Sequence, residues 1–233
     1  MRCFSILVAA AGFASFSLLA LAHMAHTAHA AGHASGHSSL HSGMHDESGI
    51  TNQDLLNAQY DQAVEAVRDK NYRVAVAIFE EHAALSQHNA QYNLALLLKK
   101  GLGKPQNYTH AFKWAWLARL GGVKKAEHLI NELTDIIPEE NHEDMRALVA
   151  QNLTDRIDAG DHRAITQYAR YLTTALPEAD YATAYKWYSV AAALKLPGGI
   201  NGREAVYQEI DPADVMTLQN EALQLYEKVT SQN

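Results

Sequence analysis

The stretch Tyr108-Thr-His-Ala111-Phe-Lys-Trp114 returns as Tyr181-Ala-Thr-Ala184-Tyr-Lys-Trp187, about 73 positions further on. A fainter copy, Tyr72-x-x-Ala75 with Ile78 in the tryptophan place, precedes the first. The spacing fits a unit of about 36 residues with a decayed copy between, a period at which helix pairs stack on one another. Ala111, Trp114 and Ala118 fall at i, i+3 and i+7, on one face of a helix. Small residues there admit a neighbouring helix. The indoles of Trp114 and Trp187 are expected to fill the space between hairpins rather than to stack on a ligand.

Working outward, each copy reads as the second helix of a helical hairpin. Ala90, Leu94, Leu97 and Leu98 place an apolar stripe on the first helix, which Gly101 and Gly103 stop. Pro105 bars an early restart. Asn107, and Asp180 in the later copy, sit where a side-chain oxygen can accept from the orphan amides of the next helix.

Ala90-Gln-Tyr-Asn-Leu94-Ala95, then Gly101-Leu-Gly103-Lys-Pro105-Gln-Asn107-Tyr108, then Ala111-Phe-Lys-Trp114 with Ala118 and Gly122, resemble the Sel-one-like repeat (SLR) family, relatives of the tetratricopeptide repeats. Ala95 and Ala169 stand where that family usually has glycine, and Lys104 where it usually has valine. The later copy replaces the Gly-x-Gly loop by Thr173 to Asp180 and is one residue shorter between helices. The resemblance implies an all-α fold, a right-handed α-solenoid of stacked helical hairpins that scaffolds protein complexes. It implies no catalytic residues.

The remaining helical pattern extends this plan in both directions. Residues 51–89 form a degenerate first hairpin: a helix over 52–69 with Leu55, Leu56, Tyr60, Ala63, Val64 and Val67 as its stripe, and one over 72–86 with Val74, Ala77, Ile78 and Phe79. Asn71 stands in the cap position, and His82 on the inner face reads as a core histidine, with no metal-ligand partner at i+3 or i+4. Residues 90–160 make a first repeat block, adding helices over 123–134 and 141–158 around a break at Pro138. Residues 161–231 make a second block, with helices over 162–175, 181–194 and 201–209 and a last helix to about Val229 after Pro212.

The N-terminal part has another character. Residues 1–22 run Met1-Arg2, then apolar to Ala20-Leu-Ala22, as a secretory signal peptide does; an uncleaved N-terminal membrane anchor is the alternative. Ala28-His-Ala30 offers a second cleavage site. Cys3 is the one cysteine, so a processed chain has no disulfide. Residues 23–50 are a His-rich linker of Ala, Gly, Ser and Thr with too little to bury, and are expected to be disordered. His33, His37, His41 and His45 recur at a four-residue step and could hold zinc, copper or nickel as neutral imidazoles. Gly32, Gly36 and Gly43 oppose the helix that would align them, which favours a plain soluble linker.

A formal net charge of -7 without a clustered basic face excludes nucleic acid as an expected partner. Lys99, Lys100 and Lys104 read as helix C-terminal charge complementarity. No nucleophile elbow, His-Glu-x-x-His or phosphate loop is present, and Glu139, Glu140, Glu143 and Asp144 read as helix-start charges rather than a catalytic carboxylate pair. The expectation is a non-enzymatic scaffold with an unidentified protein partner, periplasmic or secreted, touching a membrane only through the signal segment if that stays uncleaved. A metal-handling protein acting through the histidine arm is the alternative, and a cell-wall-modifying enzyme a distant one.

Overall fold

The computed structural model describes residues 51–231, which lie in one unit spanning Ser48–Asn233. The segment read as a signal peptide, residues 1–22, and the His-rich stretch 23–50, with His33, His37, His41 and His45, lie outside the described residues. Among those described, ten α-helices and one short 3-10 helix follow one another without a strand. They are α1 (Asn52–Arg68), α2 (Tyr72–Ala84), α3 (His88–Lys100), α4 (Tyr108–Leu120), α5 (Ala126–Ile136), α6 (His142–Asp158), α7 (Arg163–Thr174), α8 (Tyr181–Ala193), α9 (Gly199–Tyr207) and α10 (Val215–Thr230). The 3-10 turn Glu139–Asn141 leads into α6 after Pro138.

Neighbours pack in pairs from α1 to α5 and from α6 to α9, α10 folds back onto α8, and α4 reaches beyond its own partner to α5, α6 and α7. The result is an all-α solenoid with nearest-neighbour packing. Two apolar cores meet at α4: Ala111, Phe112 and Ala115 belong to the first, while Leu117 and Leu120 belong to the second. Ala111, Ala118, Ala184 and Ala191 are fully buried, as small residues at a helix crossing must be.

The ends of the helices follow local rules. The Asn107 side chain accepts from His110 N at 2.8 Å and that of Asp180 from Thr183 N at 2.9 Å. Asn71 makes no such bond, so the cap expected there is absent. Instead α1 begins with a capping box, Thr51 and Asp54 exchanging bonds. Asn107 N donates to Leu98 O and Asp180 N to Leu172 O, so both loops return to the same point despite the missing residue. Gly101 closes α3 at φ 67°, and Gly103 follows at φ 83°, where a Cβ would come within 2.3 Å of the Tyr72 carbonyl oxygen. Lys104 reaches from this loop to Glu80 on α2, at 2.6 Å.

The first hairpin departs most from expectation. On α1 the buried residues are Ala63 and Ala66, whereas Leu55 is exposed; on α2 they are Ala75, Val76, Phe79, His82 and Ala83, whereas Ala77 faces solvent. The buried stripe of α2 is thus rotated by about one position. Among the described residues this hairpin has a neighbour on one side only, so fewer of its apolar positions find cover there.

Candidate functional site

A groove of about 930 Å³ opens between α4, α5, the start of α6 and the loop after α7. Its floor comes from α4, where the repeat motif places Phe112 inward, 3 % exposed, and half-buried Trp116 one turn on. Their rings meet edge to face with centroids 6.3 Å apart. Ile130 of α5 and Leu176 of the α7–α8 loop extend the apolar surface. The Nε1 of Trp116 is buried without a partner.

Charges rim this floor. Glu139, Glu140 and Glu143, read from sequence as helix-start residues, do stand in the 3-10 turn and the first turn of α6, and they also line the groove. Glu127 pairs with Arg119 at 3.2 Å across the α4–α5 wall. Arg146 supplies a second cation on α6, and its carbonyl accepts the Tyr171 hydroxyl at 2.9 Å. Burial pushes the Tyr171 phenol up to about 12, so it stays a donor throughout the neutral range. His142 turns Nε2 to the Ile137 carbonyl at 2.9 Å, which fixes it as an Nε2–H donor. These groups can hold an extended polar or charged segment with an apolar residue seated on Trp116.

The sequence-derived repeat residues lie beside this groove rather than in it. Tyr108 and Tyr181 open their helices, Gly101 and Gly103 shape the loop, and Ala111 and Ala184 sit at the helix crossings. Trp114 and Trp187 are only partly buried, while the deepest aromatic within each motif is Phe112 or Tyr185, two positions earlier. Trp114 packs against both cores and carries the Lys113 ammonium 4.3 Å from its ring centre. Burial lowers the Lys113 pKa below the usual lysine value. Trp187 meets Tyr168 edge to face at 5.5 Å.

His82 is fully buried as expected of a core histidine; Nδ1 lies 2.8 Å from Gln87 Oε1, and Nε2 has no partner. Lys99 bonds Glu132 at 2.6 Å and Lys125 lies 4.3 Å over the Tyr92 ring, so these lysines join helices besides balancing dipoles. Trp116 and a polar chain through His88 were not marked by the sequence. Among the described residues no cluster of three or more His, Cys, Asp or Glu could hold a metal, and no helix is long and apolar enough to cross a membrane.

Stacked hairpins with buried alanines at the crossings and an open groove at the seam define an α-solenoid repeat protein, a class that works through its surfaces. The particular repeat is identified by the family comparison. Residues 88–120 and 164–196 match the model of the Sel1 repeat, so the chain carries two Sel1 repeats. The matched segments coincide with the α3–α4 and α7–α8 hairpins. Sel1 repeats mark a protein–protein interaction role in general. No curated protein matches the chain.

Proposed function

We propose that the chain is an exported interaction scaffold of the cell envelope, which binds a protein partner in the groove over Phe112, Trp116 and Ile130 and does no chemistry on it. The observation that carries this reading is the place of the groove. Its walls come from the α4 end of the first Sel1 repeat, the segment between the repeats and the α7–α8 loop of the second, so one ligand would touch both repeats. Its volume suits a peptide segment, since specific pockets of about 300–1,000 Å³ bury most of a small ligand. Export rests on the apolar run that ends at Ala20-Leu-Ala22.

Cross-linking in the envelope followed by affinity capture tests the reading. Glu139→Lys with Glu143→Lys should deplete the partner while leaving the thermal midpoint almost unchanged, because both side chains are exposed. Equal recovery with the wild type and the double variant would remove the groove from consideration. N-terminal sequencing of the captured protein should read from His23 or Ala31; full-length chain in the membrane fraction would instead establish the anchor.

The four-residue step of His33, His37, His41 and His45 supports a second reading, in which this arm takes up zinc, copper or nickel. Calorimetry on untagged protein should then show binding that weakens below about pH 6.5 and vanishes when the four become serine. Equal binding by both proteins would end that reading.

A further inference from the structure

A directed line of hydrogen bonds ties the first repeat to the second. Arg156 Nη1 donates to Gln167 Oε1 at 2.9 Å, and Gln167 Nε2 lies 3.2 Å from His88 Nε2. His88 Nδ1 lies 3.0 Å from Gln91 Oε1, and Gln91 Nε2 donates to the Ala83 carbonyl at 3.1 Å. The two ends are chemically fixed: a guanidinium can only donate and a carbonyl can only accept. Every role between them follows. Gln167 turns its oxygen to Arg156 and its amino group to His88, so His88 Nε2 accepts and Nδ1 carries the hydrogen. Gln91 is 1 % exposed and Gln167 8 %, so water has little access to replace either partner. Gly121 lies against the ring, where a Cβ would come within 2.1 Å of His88 Cγ.

We propose that His88 is a pH-sensitive latch between the Sel1 repeats: protonation of its imidazole breaks the line at the seam of α3 and α7 and loosens one repeat from the other. The imidazolium donates from both nitrogens, so Nε2–H would face the Gln167 amino group. Turning the Gln167 amide over does not help, because its amino group would then face the Arg156 guanidinium. One donor-to-donor conflict survives in either arrangement, at a site 79 residues apart in sequence.

The surroundings hold the neutral form in place. Burial lowers the His88 pKa below its usual 6.5; the Gln91 bond and Asp161 oppose this, while Arg156 of α6 and Arg163 of α7 reinforce it. From α2 it is the Ala83 carbonyl that ends the line, and from the end of α4 the uncharged Gly121 packs on the ring. His88 is also the first residue of α3, at the positive end of the helix dipole. Because the folded pKa is depressed, the contribution of His88 to stability is complete above pH 6.5 and is lost as pH falls from there through the folded value. Asp161 does not titrate in that window. Burial raises its pKa, but the bonds from Arg163 and Arg156 outweigh this and hold it below 3.8.

This latch does not depend on what the groove binds. Hydrogen exchange on the full chain at about pH 7.5 and about pH 5.5, corrected for the intrinsic pH dependence, tests it directly. Opening of the first turn of α3 and of α7 should rise on acidification by up to about tenfold per pH unit, and more than elsewhere in the fold. His88→Gln keeps an acceptor and a donor but cannot titrate, so its response should be flat. Gln167→Glu offers acceptors to both Arg156 and an imidazolium, so acid should tighten the seam. An equal acid response in the wild type and both variants would overturn the latch, as would an acid response spread evenly over all helices. Should His88→Gln fail to fold, the sign of the Gln167→Glu response decides alone.

Discussion

Two glycines separate the cost of a backbone conformation from the cost of a collision. Gly122 has φ 101° with nothing within 4 Å of a built Cβ, so Gly122→Ala should cost about 1–2 kcal/mol, the strain of the left-handed region alone. Gly103 has φ 83° and would drive its Cβ to 2.3 Å from Tyr72 O, so Gly103→Ala should cost well over about 2 kcal/mol in a urea melt. Equal losses would show that the loop simply moves aside. The aromatic pair makes a similar contrast. Phe112→Ala empties a site 3 % exposed and should cost about 3–5 kcal/mol, while partly exposed Trp114 should lose markedly less. A Trp114→Ala loss as large as that of Phe112 would return the indole to the core, where the repeat pattern alone had placed it. The pattern shows which positions recur but not how deep each lies, because Phe112 and Trp114 differ by only two residues and both flank the same crossing.

Helices were legible wherever the signal is local. Caps, glycine stops and the apolar stripe of α3 are read within a few residues, and the expected hairpins appear at nearly their expected bounds. Two signals failed for physical reasons. Lys70, Ser86 and Lys195 adopt left-handed conformations, at φ 60°, 62° and 56°, which no residue type other than glycine or asparagine advertises. Pairs such as His88 with Gln167 depend on which helices become neighbours, and no local period contains that. The groove was illegible for the same reason, since its rim was visible as helix-start glutamates but only the packing of α6 beside α4 sets that rim over the Phe112 and Trp116 floor. The caps also yield a graded prediction. Asn107→Ala removes a 2.8 Å bond to the first turn of α4 and should cost about 1 kcal/mol, whereas Asn71→Ala, which loses no such bond, should stay within about 0.5 kcal/mol. Identical losses in thermal melts would mean that position, and not the bond, sets the effect.

Solenoids risk coming apart repeat by repeat, because each hairpin touches only its neighbours. Here α4 counters that tendency, since Ala111, Phe112 and Ala115 face the first core while Leu117 and Leu120 face the second. One rigid helix therefore carries strain between the two, and the region 51–231 should unfold in a single step. Leu117 is fully buried at the handover, so Leu117→Ala should cost about 2–5 kcal/mol and also weaken the coupling itself. Leu94 is as deeply buried but lies wholly within the first core. Leu94→Ala should then cost a similar amount while both halves still melt together. Hydrogen exchange in rising urea distinguishes the two, with α1 to α3 reporting one core and α7 to α8 the other. Coincident transitions are expected for the wild type and Leu94→Ala, and separated ones for Leu117→Ala. Separate transitions already present in the wild type would show that the two cores are independent and that α4 merely lies between them.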